Sequence, residues 1–225
     1  MINSSCDLDY AVVAFVDILG FSDMVRSDCE NKNGSLKFFE ILKNINLETK
    51  EITGCNITQF SDSVIFSLPL AEENYEKMIQ ILSEYQYKLL CNSIICRGAM
   101  AYGKHYTEND FMFSQALIEA YQLECTEAKY PRIIISPNLK DLFEPKCEYV
   151  PGVIKEKDGY YFINYFAGKE KEKLREILQS YNLSLYRYTL RVREKYYWLF
   201  EYWEFTFNEK LSFHQQRFLN RSINS

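Results

Sequence analysis

The first long apolar run, Ala11-Val12-Val13-Ala14-Phe15-Val16, has no helical period. It predicts a strand over 10–18 that is buried on both faces. Leu19-Gly20-Phe21 reads as a turn, with Ser22 as N-cap and Asp23 behind it, opening a helix over about 23–30. Glu30 to Ser35 breaks the pattern, and Leu36, Phe38, Phe39, Ile41, Leu42 and Ile45 resume it at helical spacing. Residues 51–68 read as a hairpin, with strands Ile52 to Phe60 and Val64 to Leu68 joined by Ser61-Asp62-Ser63. Tyr75, Met78, Ile79, Leu82, Tyr85, Leu89 and Leu90 place a helix over 73–92. Ser93 to Gly103 is the next strand, and its Gly98, Ala99 and Ala101 suit close packing or close ligand approach.

This order, β-α-β-β-α-β, predicts an α+β sandwich with a ferredoxin-like core. Past Gly103, Lys104 to Phe111 reads as a variable stretch that includes His105. A helix over 114–128, a strand over 130–136 and a short helix over 137–143 follow. Lys155 to Gly159 is a turn, Tyr160 to Phe166 a strand, and helices cover 169–181 and about 184–206. The domain reading is a core over 8–150 and a C-terminal extension over 151–225, a strand plus helices packing on that core.

Two acidic residues stand out against this pattern. Asp17 ends the first strand, where a bare carboxylate costs several kcal/mol, on the order of other polar burial penalties, unless something pairs with it. No Lys or Arg lies near it in sequence, so the natural partner is a cation, or a second carboxylate sharing a cation. Asp62, at the tip of the hairpin, is that second carboxylate. The predicted topology places the two on neighbouring central strands. Ligands of open α/β folds bind at strand C-terminal ends, and the following helix N-terminus offers free N–H groups to an anion.

Composition narrows the classes further. The 225 residues are 47% hydrophobic and 25% charged, which is ordinary for a globular chain with a real core. A net charge of −5 argues against binding along a nucleic-acid backbone, which needs a basic footprint. No apolar run reaches the roughly 18 residues that span a bilayer, and residues 1–9 have neither the basic nor the apolar region of a signal peptide. The seven cysteines are scattered, odd in number and without CxxC, and Cys91 and Cys96 read as buried thiols. Only two histidines occur, neither at zinc-ligand spacing. A reducing cytoplasm is the expected compartment.

F-x-D-I-x-G-F-S at 15–22, followed by S-D-S at 61–63, resembles the class III nucleotidyl cyclases. The resemblance covers about 10–136, and 160–205 more loosely. It implies a class III cyclase-type core with extra strands and a helical C-terminal extension. It implies that Asp17 and Asp62 hold two Mg²⁺ or Mn²⁺ ions, which activate the ribose 3′-hydroxyl and clamp the triphosphate. Hard divalent ions take carboxylate oxygens together with substrate phosphates, and two of them stabilise both oxygens of an in-line displacement. The Ile18 carbonyl would also ligate a metal. Leu19, Gly20, Phe21 and Ser22 would cradle the phosphates, with Phe15 beside them in the substrate site.

Arg97-Gly98 to Gly103 resembles the family's fourth strand. The helix over 114–128 aligns with the one that carries N-x-x-x-R in the family. Anchored on Leu123-Glu124, those positions are Ile118 and Gln122, so both functional residues are absent. Arg97 and Lys104 are the nearest cations to take over phosphate charge stabilisation. A-L-I-E-A-Y-x-L-E, the Phe60-Ser61-Asp62-Ser63 hairpin and Lys195-Tyr196-Tyr197-Trp198 look more like the pyrimidine cyclases of bacterial Pycsar antiphage systems. The expected reaction is then UTP, or CTP, to the 3′,5′-cyclic monophosphate plus diphosphate. Thr58 stands where the family has a base-reading Lys or Glu, with Gln59 beside it, and Asp110 sits near the other base-reading position. The resemblance also implies a homodimer with shared sites, and a separate effector that responds to the cyclic nucleotide. The alternatives are a purine cyclase using ATP or GTP, and a noncatalytic nucleotide-binding dimerisation module. No nucleic-acid or membrane partner is expected.

Overall fold

The centre of the computed structural model is β1 (Asp9–Leu19), flanked on both sides by antiparallel strands. On one side lies β3 (Ser63–Pro69), on the other β4 (Ile95–Glu108). The structure describes residues 8–108, 111–144 and 151–214. Both faces of β1 are covered, which is why its run is continuously apolar. Val12, Ala14, Val16 and Ile18 point into the main core, whereas Ala11, Val13 and Phe15 point the other way. Fully burying each of the larger side chains is worth about 1.5–3 kcal/mol, so the register of β1 is strongly specified.

The chain divides into two compact units, residues 1–167 and 168–225. In the first, the strand order is β2-β3-β1-β4-β6-β8-β7, with β5 (Phe111–Ser114) paired to the far end of β4. β2 (Asn56–Phe60) and β3 form the expected hairpin. β6 (Ile133–Ile135) runs parallel to β4, while β8 (Tyr161–Ile163) and β7 (Val153–Lys155) extend the sheet antiparallel. Helices α1 (Phe21–Cys29), α2 (Lys37–Thr53), α3 (Glu72–Cys91) and α5 (Pro137–Phe143) contribute to the core on the Val12 face. Helix α4 (Gln115–Glu127) covers the opposite face through Ala116 and Ala120. The mixed α+β fold with its ferredoxin-like β-α-β-β-α-β order is therefore present.

Local differences from the sequence reading have identifiable causes. Residues 51–53 belong to α2, so the hairpin's first strand begins at Asn56 and not at Ile52. The first helix starts at Phe21 with Gly20 as N-cap, and Ser22 lies within its first turn. β4 does not stop at Gly103 but runs on to Glu108 and turns back as β5, so Lys104 and His105 are strand residues. His105 is buried there, and burial holds its imidazole below the usual histidine range. Strand β7 has no counterpart in the sequence pattern, and β8, which the sequence grouped with the C-terminal extension, lies in the sheet of the first unit. Cys96 is buried, which pushes its thiol up to about 12, while Cys91 is only half-buried.

Arg132, immediately before β6, is 1% exposed. Glu156 and Asp158, from the turn between β7 and β8, pair with its guanidinium. Burial by itself raises the Asp158 carboxyl, but hydrogen bonds from Arg132 and from the Tyr160 N–H outweigh it and leave it below the usual carboxylate range. In the second unit the two expected helices are present as α6 (Lys171–Ser184) and α7 (Leu190–Phe207), the second starting later because a 3₁₀ turn (Leu185–Arg187) intervenes. The ring of Tyr196 packs 4.8 Å from that of Tyr181 and 5.4 Å from that of Tyr188. Glu204 accepts from the Leu211 N–H at 3.0 Å, which ties the end of α7 to the following turn.

Two expectations follow. A Cβ on Gly98 would meet the Phe15 carbonyl oxygen at 2.4 Å, and that oxygen belongs to the central strand. Gly98→Ala is therefore expected to cost about 2 kcal/mol through overpacking, read by chemical denaturation. Asp158 has a lowered folded pKa, so its contribution to stability is present above the unfolded value near 3.8 and fades as pH falls through the still lower folded one. Asp158→Asn should narrow the stability gap to the parent as the pH is brought below about 4 in acid titrations.

Candidate active site

The register of three strands assembles the site. Asp17 lies opposite Ser63 on β3 and opposite Arg97 on β4. At the hairpin tip Ser61 has a left-handed backbone (φ 56), and the Ile18 N–H donates to the Asp62 carbonyl at 2.8 Å. That bond ties the Asp62 turn to the end of β1. The next residue after Leu19 is Gly20, at φ 79 and ψ 14, a conformation that costs glycine little and other residues about 1 kcal/mol or more. It turns the chain directly from β1 into α1. No side chain caps α1, and the first N–H groups of a helix have no intrahelical acceptor. The Gly20 carbonyl does accept from the Asp23 and Met24 N–H groups, at 3.1 and 3.2 Å.

The partner of Asp17 is eighty residues away in sequence. Arg97 Nε donates to Asp17 Oδ2 at 3.0 Å, and Nη1 donates to the Ala128 carbonyl at 3.3 Å. Arg97 Nε also lies 2.8 Å from Glu124 Oε1. A guanidinium Nε carries a single hydrogen, and its direction favours Asp17, so the Glu124 contact is one of charge with charge. The expectation that Asp17 needs a bound cation is thus corrected: a side chain from the neighbouring strand already supplies one. Glu124 is not among the candidate site residues of the sequence reading. Its functional interest could have been read from Ala116, Ala120, Glu124 and Ala128, a stripe at intervals of four that puts the acid on the buried helix face.

The structure brings together Asp17, Ile18, Gly20, Phe21, Ser22, Asp62 and Arg97 around one end of the sheet. Thr58 is exposed on β2 opposite Ile65, on the face covered elsewhere by α4. Gln59 points the other way, where its amide bonds Asn46 of α2 and, at 3.0 Å, the Ser61 carbonyl. Phe15 is buried against α4, with its ring 5.3 Å from that of Tyr121 in a T-shaped contact. Ile118 and Gln122 are exposed on the outer side of α4. Lys104 sits seven residues along β4 from Arg97, roughly 23 Å away. Its Nζ donates to the Leu8 carbonyl at 2.7 Å. Asp110 lies outside the described residues.

The Asp17 and Asp62 carboxylates and the Ile18 carbonyl are hard oxygen donors in kind. Among the described residues no group of three or more His, Cys, Asp or Glu side chains could hold a metal by itself. Mg²⁺ characteristically takes one or two carboxylates and completes its shell with water and substrate phosphate. Asp17 and Asp62 fit that ion and its close analogue Mn²⁺.

Comparison with known proteins finds no matching family model and no matching curated protein. Solved structures do match. The adenylyl cyclase CyaB from P. aeruginosa is similar with a TM-score of 0.51 at 17% identity, covering 70% of this chain and 94% of that one. The monomeric guanylyl cyclase domain of the RhoGC fusion protein from the aquatic fungus Blastocladiella emersonii gives 0.50 at 15% identity, with 69% and 95% covered. What is shared at this identity is the fold, so this chain has the α+β fold of class III cyclase domains.

Removing the central cation should be costly. Arg97→Ala leaves two carboxylates facing each other, and the loss is expected to be about 3 kcal/mol. Denaturant titration at neutral pH measures it.

Proposed function

We propose that the chain is a pyrimidine nucleotide cyclase that converts UTP or CTP to the 3′,5′-cyclic monophosphate and diphosphate. One observation carries the reading: the ends of β1 and the β2–β3 hairpin, each bearing an aspartate, are bonded together beside the uncapped start of α1. In the reaction the ribose 3′-oxygen bonds to the α-phosphorus. The bond from that phosphorus to the β-phosphate oxygen breaks, diphosphate leaves, and the 3′-hydroxyl proton is released to water. When bound at Asp17, Asp62 and the Ile18 carbonyl, two Mg²⁺ or Mn²⁺ ions supply positive charge to the attacking and leaving oxygens.

The remaining roles fall to the chain's own groups. The Gly20-Phe21-Ser22 turn orients the triphosphate through backbone N–H groups at the start of α1. Arg97 offsets phosphate charge, in place of the arginine that position 122 lacks. Thr58 offers a short hydroxyl to the edge of a uracil or cytosine, with Asp110 as a further base-side residue, whereas Gln59 faces α2 and has no such role. The active form is a homodimer with its sites at the interface. Its support is a set of exposed apolar side chains, Phe60 on β2 together with Ile118 and Tyr121 on α4. The motifs at Asp62, on α4 and at Lys195 to Trp198 support membership of the Pycsar-like pyrimidine cyclases. In that role the product is a cytoplasmic second messenger in antiphage defence, read by a separate effector protein. No helix among the described residues is long and apolar enough to cross a membrane.

The test is incubation with each of the four nucleoside triphosphates and Mn²⁺, followed by product identification. Cyclic UMP or cyclic CMP is expected, and Asp17→Ala and Asp62→Ala should each abolish it. Cyclic AMP or cyclic GMP as the main product would replace the pyrimidine reading with a purine one. Metal-dependent nucleotide binding without any product would make the chain a noncatalytic module.

A further inference from the structure

Arg97 lies between two carboxylates of different accessibility. The side chain of Asp17 is 19% exposed, that of Arg97 22% and that of Glu124 2%. Its Nε is 3.0 Å from Asp17 Oδ2 and 2.8 Å from Glu124 Oε1, and its single N–H is given to Asp17. The three groups together carry one net negative charge. Arg97 is also fastened to the C-terminal end of α4 through the Ala128 carbonyl. It therefore has a fixed pivot and two anionic seats within reach of the same nitrogen.

We infer that Glu124 is a positioning residue that takes Arg97 from Asp17 when a divalent cation binds there. The inference rests on the metal reading of Asp17 given above. A cation on Asp17 occupies the carboxylate that accepts the Arg97 Nε–H and sets a second positive charge beside the guanidinium. Without another seat, Arg97 would oppose that cation both as a competitor for the carboxylate and by repulsion. Glu124 removes both objections, because its carboxylate oxygen is already at hydrogen-bond distance and its charge offsets that of Arg97. Only a small reorientation of the N–H is needed. Since Glu124 is anchored on the buried face of α4, Arg97 stays beside the site and is not released to solvent.

The experiment measures binding of Mn²⁺ alone to the full chain by calorimetry or by the loss of free-ion electron paramagnetic resonance signal. Glu124→Gln keeps the Arg97–Asp17 pair and the shape of residue 124, and its melting curve checks the fold. It is expected to weaken Mn²⁺ binding about tenfold, in line with losing one charge-assisted hydrogen bond. Glu124→Asp should recover most of that loss. In an Arg97→Gln background the same Glu124→Gln change should have little effect, because there is no cation left to reseat. A Glu124→Gln variant that binds Mn²⁺ as tightly as the parent overturns the inference. So does an equal loss with and without Arg97, which would make Glu124 a direct contributor to the metal's field. Asp17→Asn separates the two levels of the argument. If it binds Mn²⁺ like the parent, the metal reading of Asp17 fails and the inference with it. If it loses binding while Glu124→Gln does not, only the role of Glu124 fails.

Discussion

A strand covered on both faces can present polar chemistry only at its ends. β1 is such a strand, and its Val12 to Val16 segment leaves no room for a charged side chain. Asp17 is the first position after that segment, and its carboxylate is tolerated because Arg97 stands opposite. The same register sets Ser63 on the other side and brings the Asp62 turn onto the Ile18 N–H. A slip of one residue would send the carboxylate to the Val16 side of the sheet, into the main core. The burial that fixes β1 is therefore also what fixes the geometry of the site.

Helix α4 supplies the second constraint. Its Ala116 and Ala120 pack close to the sheet, and the same face carries Glu124 at 2% exposure. An acid so deep needs a compensating cation, which Arg97 provides from β4. One guanidinium thus contacts a strand-end carboxylate, a buried helix carboxylate and the carbonyl at the C-terminal end of the helix. The arrangement at Arg132 uses the same logic for structure alone, with two acids from the β7–β8 turn and the Glu127 carbonyl around a buried arginine. Both arginines lie at the C-terminal end of α4, where the helix dipole favours positive charge. The outer side of α4 is different, with Ile118 and Tyr121 exposed.

Much of this was legible in the sequence because it depends on local pattern. The unbroken apolar run of β1, the helical stripe of α3 and the Ser61-Asp62-Ser63 turn each declare their element through period or turn chemistry. The pair Asp17 and Asp62 could be placed on neighbouring strands from element order alone. The resemblance to class III cyclases rested on the same two stretches, and the fold agrees with it. Less legible were features without a local period. Three-residue strands such as β7 are too short to show alternation, and β4's continuation through Lys104 and His105 depends on pairing with β5. The start of β2 has no mark in the hydrophobic pattern, because the boundary between α2 and the hairpin is set by Gly54 in the left-handed conformation.

What the sequence determined by itself was the inventory: which stretches bury, which residues carry charge, and that two aspartates stand at turns. What only the tertiary structure decided was which charges meet. Arg97 is paired with Asp17 by the β1–β4 register and with Glu124 by the seating of α4, and neither pairing can be read from separation along the chain. Gln59 and Thr58 are adjacent in sequence yet face opposite sides of the sheet, Gln59 toward α2 and Thr58 toward the α4 side. The physical reason is the same in each case. Side-chain direction alternates along a strand, but the neighbour a side chain finds is chosen by long-range packing, which minimises exposed apolar area over the whole sheet at once.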